Sequence, residues 1–303
     1  MPLVKNRNPL DIDGIDKLLD ANIDDTNIMA KGMINMAMWD IYGKYHKKPV
    51  YQCLSDTIYN QRIPLLYPFG DQTIEEDTKM LTEKIKHGYR TFMLKMGMNQ
   101  DIDYEIERVK NVEAKFGPIG EKLFIVPDAN QGYNFEQAMK FIAGCKGIKI
   151  SFFEQPIAKH EYDKLKLLKE ECIKNGFDLS LDESVQNMEA IQYALQHQVG
   201  SVFSVKVSKN GGISKLFHVT KLCKAKGVKC LFNSMLEYGI AQSALLAVIA
   251  VTENIAKMGH CFMSTLRFKD DFTDFRSLIS DDKVVRLSER PGLGITVNEA
   301  KLA

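Results

Sequence analysis

From about residue 62 onward the chain alternates short apolar runs with longer amphipathic stretches, and ionisable residues recur just past the ends of consecutive runs. This texture belongs to repeated strand–helix units built around a parallel sheet. Eight candidate strands can be read: Ile63–Tyr67, Thr91–Met96, Leu123–Pro127, Ile150–Phe153, Leu179–Leu181, Ser201–Lys206, Lys229–Phe232 and a weak last one near His260–Met263. Helices fit between them at Ile74–His87, Asp101–Phe116, Phe135–Gly144, His160–Asn175, Asn187–His197, Ile213–Lys226 and Ile240–Asn254. Eight units in about 200 residues match the smallest (β/α)8 TIM barrels, an α/β fold. The rival is a doubly wound open sheet. It would want a glycine-rich phosphate turn after the first strand and polar residues at one switch point, and the chain offers neither. Residues 1–58 read as helical, because Ile12, Ile15, Leu18 and Leu19 repeat at helical spacing, as do Met29, Met33, Met36 and Ile41. Asp25 or Thr26 is the expected cap of the second helix.

The residues that follow the apolar runs are Lys95, Asp128, Glu154, Asp182 and Lys206, separated by 33, 26, 28 and 24 residues. Each interval is about one strand, one helix and two loops, so in a barrel all five reach the C-terminal mouth on neighbouring strands. Three converging carboxylates repel one another and cannot all stay ionised unless a cation sits between them. Taken alone, any one of these acids is as well explained as a helix cap; three in phase, flanked by two lysines in phase, are not. The donors are all oxygen, with no Cys or His near the same strand ends, so Mg²⁺ is the expected metal, with Mn²⁺ the alternative. Lys95 and Lys206 face the cavity from opposite sides. A lysine partly desolvated beside a dication has its ammonium disfavoured, and its amine can then take a proton from carbon. Lys209 reads as a solvated surface residue.

Composition narrows the partners. With 40 Lys+Arg against 39 Asp+Glu the net charge is +1, so no long-range field favours nucleic acid or an anionic membrane, and a small neutral or anionic ligand is expected. No apolar stretch approaches membrane-spanning length and the N-terminus has no apolar run, which makes the expected location cytoplasmic. The six cysteines are scattered without metal or disulfide spacing and read as reduced core thiols.

The motifs around these positions resemble the enolase superfamily, specifically its muconate-lactonizing-enzyme subgroup, over nearly the whole chain. Leu94-Lys95-Met96-Gly97 is similar to the end of that subgroup's Lys-x-Lys motif, and Pro127-Asp128-Ala129-Asn130 to its Asp-x-Asn segment. Glu154-Gln155-Pro156 and Asp182-Glu183-Ser184 resemble its second and third metal-ligand motifs. Ser204 to Gly212 resembles the sixth-strand lysine segment and Ser234-Met235-Leu236-Glu237 the segment after strand seven. The resemblance implies Asp128, Glu154 and Asp182 as Mg²⁺ ligands and Lys95 and Lys206 as the acid/base pair. Asn130, Glu183 and Glu237 would stand behind the ligands or polarise the substrate, although Glu183 and Glu237 could equally cap helix starts. Arg267, Asp270 and Asp271 read as a surface loop.

The implied activity is a racemase or epimerase of a carboxylate substrate, an amino-acid derivative or dipeptide, working through two lysines and an enolate. A cycloisomerase or syn-dehydratase would use the same residues. Two departures from the family pattern stand out. Met93 replaces the first lysine of the Lys-x-Lys motif, and the chain starts at the helices that follow the family's small N-terminal β-sheet. The expected organisation is therefore a partial helical capping domain at 1–58, a catalytic barrel at 59–280 and a segment at 281–303 returning to the capping region. A chain that binds metal without turnover is the alternative function, and a homo-oligomer supplying the lid a further expectation.

Overall fold

The computed structural model describes residues 3–70, 72–98, 101–116, 123–262 and 267–302. The chain opens with α1 (Ile12–Asn22), α2 (Ile28–Tyr45) and α3 (Val50–Leu54). Asp11 caps α1 by accepting from the Gly14 N–H. The capping expected of Asp25 or Thr26 falls instead to Asp24. Its side chain accepts from the Thr26 N–H and starts a single 3-10 turn, while α2 follows from Asn27 with no side-chain cap. The apolar repeat along α2 marks the helix without marking its buried face: Met36 is buried, whereas Met29, Met33 and Ile41 are exposed.

Where one first strand was expected, the backbone makes two. β1 (Arg62–Pro64) pairs antiparallel with β9 (Val284–Arg286), and β2 (Leu66–Phe69) enters the barrel. The other staves are β3 (Thr91–Lys95), β4 (Phe124–Asp128), β5 (Phe152–Glu154), β6 (Asp178–Leu181), β7 (Val202–Val205) and β8 (Lys229–Phe232). They lie side by side in chain order, all parallel. The connecting helices are α4 (Ile74–Lys86), α5 (Ile102–Phe116), α6 (Phe135–Gly144), α7 (Tyr162–Lys174), α8 (Met188–Gln196), α9 (Ile213–Ala225) and α10 (Gly239–Ala250).

The eighth stave is an extended segment and not a regular strand. The His260 N–H donates to the Pro64 carbonyl (2.8 Å), the Leu66 N–H to the His260 carbonyl (2.8 Å) and the Cys261 N–H to the Phe232 carbonyl (3.1 Å), which closes the barrel between β8 and β2. A continuous ladder does not form because pairing with β8 is split: Cys230 is already bonded to Asn254 and Ala256, and the chain turns before it returns at Cys261. Met263, expected to end that strand, lies outside the described residues. Helix α10 stops four residues short of the expected Asn254, whose side chain instead donates to the Val228 carbonyl (2.8 Å) at the start of β8.

Strand alternation sorts the side chains into two cores. Phe92, Leu94, Ile125, Phe153, Leu179 and Phe203 point outward against the helices. Leu66, Met93, Val126, Phe152, Val202 and Leu231 fill the lumen. Each fully buried side chain of this size is worth about 1.5–3 kcal/mol. The lumen set lies two residues before Lys95 (Met93), Asp128 (Val126), Glu154 (Phe152) and Asn233 (Leu231), so period two carries those polar residues to the lumen's C-terminal end.

Candidate active site

Register fixes the first three groups. Lys95 pairs with Asp128 across β3 and β4, and Asp128 with Glu154 across β4 and β5, so these residues form one row. Asp182 follows β6 by one residue, Lys206 follows β7 and Asn233 follows β8. All three carboxylates are buried, none more than 6% exposed. Lys95 Nζ donates to Asp128 Oδ2 and to Asn130 Oδ1, the latter at 3.0 Å. Lys206 Nζ donates to Asp182 Oδ2 at 2.6 Å. Each lysine expected to move a proton thus rests on one carboxylate expected to hold metal.

Glu154 has no such partner. Its Oε1 accepts from Asn233 Nδ2 at 3.3 Å, and its Oε2 is buried with no hydrogen bond. Burial, then the nearby Asp128 and Asp182 charges, push its carboxyl well above the usual range. Asp128 is raised too, chiefly by burial, which outweighs the Lys95 charge. Burial acts on Asp182 in the same direction, but Lys209 and Lys206 overturn it and hold that carboxyl below its ordinary value. Burial lowers Lys95 and Lys206 while the Asp128 and Asp182 carboxylates raise them, and the net direction is upward in both. The fall expected of these lysines is therefore absent while carboxylates neutralise them.

Among the described residues no three His, Cys, Asp or Glu side chains form a ready-made metal cluster. Two of the three expected ligands are instead held by ammonium groups. The donor set still fits a hard dication: three buried carboxylates, all oxygen, one of them with an orphaned oxygen among like charges. Cys261 does enter the lumen beside the staves, contrary to the reading that no Cys stands near, but burial pushes its thiol up to about 12 and keeps it neutral. Met93, in place of the family's lysine, packs in the apolar lumen.

The outer residues are tied to the site by local geometry. Asn130 takes a left-handed φ of 43°, which brings its N–H to Asp128 Oδ1 (3.0 Å) and its Nδ2 to Glu183 Oε1 (3.4 Å). Glu183 caps no helix; burial, then Asp182, raise its carboxyl. Glu237 does not cap α10 either. It accepts from the Ser208 and Ser234 hydroxyls and from the Met235 N–H (2.6 Å), drawing the turns after β7 and β8 together. Arg267 is exposed, and Asp270 ion-pairs with Lys301 at the surface. Asp271 is more than loop, since its Oδ2 accepts from the Gly239 N–H (2.9 Å) at the start of α10.

Sequence reasoning missed three contributors. Gln155, fully buried with φ 35°, accepts from the Asp182 N–H (3.0 Å) and the Ser184 N–H (3.1 Å) and donates to Ser184 Oγ, which sets the turn that presents Asp182. Asn233 joins Glu154 to Ser204 Oγ (2.7 Å). Lys209 is the main correction: it is buried and ion-paired with Asp182, not solvated. Its three-residue offset from Lys206 was the available signal, because one turn of helical backbone brings such residues to the same side.

Comparison with known proteins places this arrangement. Residues 77–301 match the family model described as "Enolase C-terminal domain-like". An N-succinyl-L-Arg/Lys racemase of Bacillus cereus is 27% identical over 302 residues, covering 99% of this chain and 78% of the relative. An L-Ala-D/L-Glu epimerase of Clostridium acetobutylicum is 25% identical over 271 residues, covering 89% of this chain and 72% of the relative. The solved muconate lactonizing enzyme of Pseudomonas putida superposes with a TM-score of 0.90 at 21% identity, covering 99% of this chain and 81% of that one. The chain belongs to the enolase superfamily, within its muconate lactonizing enzyme and N-succinylamino acid racemase subgroup of isomerases.

Proposed function

We propose that the protein is a Mg²⁺-dependent racemase or epimerase that exchanges the α-proton of a small carboxylate substrate between Lys95 and Lys206. The substrate class is an N-acylated amino acid or a dipeptide, which the racemase and epimerase relatives support. The observation that carries the reading is the pairing of each lysine with a strand-end carboxylate on either side of Glu154.

Asp128, Glu154 and Asp182 would hold the metal, which when bound supplies a Lewis acid that stabilises negative charge on the substrate carboxylate. With both aspartates so committed, each lysine would keep its burial and lose its counter-ion, which would lower both ammonium groups enough for one to stand as the amine while the other keeps its proton. One lysine, as the amine, then breaks the Cα–H bond and becomes the ammonium; the electron pair passes into the carboxylate as an enolate; the other lysine, standing as the ammonium, delivers its proton to the opposite face of Cα and is left as the amine. Asn130, bonded to both Lys95 and Glu183, orients the first lysine. Glu237 holds the turn beyond Lys206.

The test is Mg²⁺-dependent exchange of the α-proton with deuterated solvent, followed by NMR on both enantiomers of N-succinylarginine and on alanyl-glutamate epimers. Wild type is expected to exchange a substrate of this class from both faces, and Lys206→Ala from one face only. Retention of exchange on both faces by Lys206→Ala would overturn the two-base assignment.

A further inference from the structure

Lys209 is the one lysine of the site with no route to a substrate. Its side chain is 8% exposed, against 12% for Lys206 and 34% for Lys95, and its three hydrogen bonds all go to Asp182 and Ser204. Nζ donates to Asp182 Oδ1 (2.6 Å), to the Asp182 backbone carbonyl (3.0 Å) and to the Ser204 carbonyl (2.8 Å). An ammonium has three protons, and all three are used. Two acceptors belong to the expected metal ligand and the third to the neighbouring stave, so Lys209 fixes both the backbone and the carboxylate of Asp182 relative to β7. Lys206 occupies the other carboxylate oxygen, Oδ2. The two lysines therefore divide Asp182, one oxygen each.

The same anchor extends across the lumen. Ser204 Oγ accepts from Asn233 Nδ2, which also reaches Glu154 Oε1, so Asp182, Lys209, Ser204, Asn233 and Glu154 form one connected path between two ligand carboxylates. The turn that carries Lys209 is itself held. The Lys206 N–H donates to Asn210 Oδ1 (2.9 Å) and the Asn210 N–H to the Lys206 carbonyl (2.9 Å). Below it, the Ser214 N–H at the start of α9 donates to Oδ1 of the buried Asn35 on α2 (3.2 Å).

We infer that Lys209 is a positioning residue for the metal site, clamping Asp182 Oδ1 and its backbone so that Oδ2 alone exchanges between Lys206 and a divalent cation. The inference rests on the proposed metal role of Asp182. It makes a prediction opposite in sign to the simple electrostatic one. A cation 2.6 Å from a ligand oxygen opposes a second cation there, so on charge alone its removal should tighten metal binding. As a clamp, its removal should weaken binding, because the carboxylate must then be ordered at the moment of binding.

The experiment measures Mn²⁺ affinity of the full chain by electron paramagnetic resonance, with thermal midpoints recorded in parallel, for wild type, Lys209→Met, Lys209→Gln, Lys206→Met and Asp182→Asn. The clamp predicts that Lys209→Gln and Lys209→Met bind Mn²⁺ at least fivefold more weakly than wild type, while Lys206→Met binds as tightly or more tightly. Should Lys209→Met fail to fold, Lys209→Gln, which keeps donors for the carbonyls, decides alone. Unchanged or tighter binding by the folded Lys209 variant, even with a lowered midpoint, overturns the inference and leaves Lys209 as a purely structural group. Absence of Mn²⁺ binding by wild type, or equal binding by Asp182→Asn, marks instead the failure of the metal role on which it rests.

Discussion

Replacing Gly97 by alanine tests whether the turn after β3 sets the position of Asp128. Gly97 has φ +86°, where an L-residue costs about 1–2 kcal/mol. An added Cβ would also lie 2.6 Å from the Ala129 carbonyl oxygen and 3.0 Å from the Gly132 Cα, both backbone atoms that cannot swing aside. Forcing such a contact apart costs about 1–3 kcal/mol, so Gly97→Ala should lose about 2–5 kcal/mol in total. Gly147 is the internal control, with φ +82° and nothing within 4 Å of an added Cβ, so Gly147→Ala should lose only the conformational part, about 1–2 kcal/mol. Urea unfolding followed by circular dichroism gives both values, with an unchanged slope as the check that only stability moved. Because Ala129 directly follows Asp128, and the Met96 N–H donates to the Asp128 carbonyl (2.9 Å), folded Gly97→Ala should also bind Mn²⁺ more weakly than Gly147→Ala. Equal losses in the two variants, within about 0.5 kcal/mol, would refute the claim that this close approach constrains the site.

Three further outcomes are expected. Saturating Mg²⁺ at a hundred times its Kd should stabilise the chain by about 2.7 kcal/mol, and EDTA or Asp128→Asn should abolish the gain in a thermal melt. Glu154→Gln should lose metal binding yet be at least as stable as wild type in EDTA at pH 8, because an amide replaces a buried carboxylate whose Oε2 has no donor; a clear loss of metal-free stability would contradict this. His260, in the segment that closes the barrel, is held at about 3 by burial against an ordinary 6.5, and its Nδ1 accepts from the Phe232 N–H (3.1 Å). The fold accepts only the neutral ring, so the stability it contributes is present above pH 6.5 and is lost as pH falls towards 3, about 2 kcal/mol by pH 5. His260→Asn should flatten that part of the pH–stability curve, and an unchanged slope between pH 6.5 and 5 would count against it.

The barrel was legible because its signal is repeated. The apolar runs ending before Lys95, Asp128, Glu154, Asp182 and Lys206 each became a stave, and their common period put the five residues at one mouth. What failed were features set by tertiary partners. Ile63 and Tyr67 fell on different strands because β9, more than two hundred residues away, pairs only with Arg62–Pro64. The His260 segment carries little strand character of its own and is extended because the Pro64 carbonyl at the end of β1, the Leu66 N–H of β2 and the Phe232 carbonyl of β8 pair with it. Met29, Met33 and Ile41 repeat as a buried face would, yet α2 buries Met36 and Met38. Local periodicity reports that a helix exists and is silent about which neighbour it meets.

Lysines are where sequence reasoning was least able to discriminate, and the reason bears on mechanism. Lys95, Lys206 and Lys209 all follow strand ends, and nothing in residue type separates them. Burial and bonding do. Lys95 and Lys206, 34% and 12% exposed, each spend one ammonium bond on a single carboxylate oxygen, so it is above all the bonding that leaves their pairing exchangeable. Lys209, 8% exposed, commits every proton to Asp182 and Ser204, so its pairing is fixed. The proposed chemistry must free Lys206 from Asp182 without releasing Asp182 itself, and that needs both kinds of lysine. On that argument the buried one is as necessary to the proposed chemistry as the two lysines proposed to meet the substrate, although it stays in the protein interior.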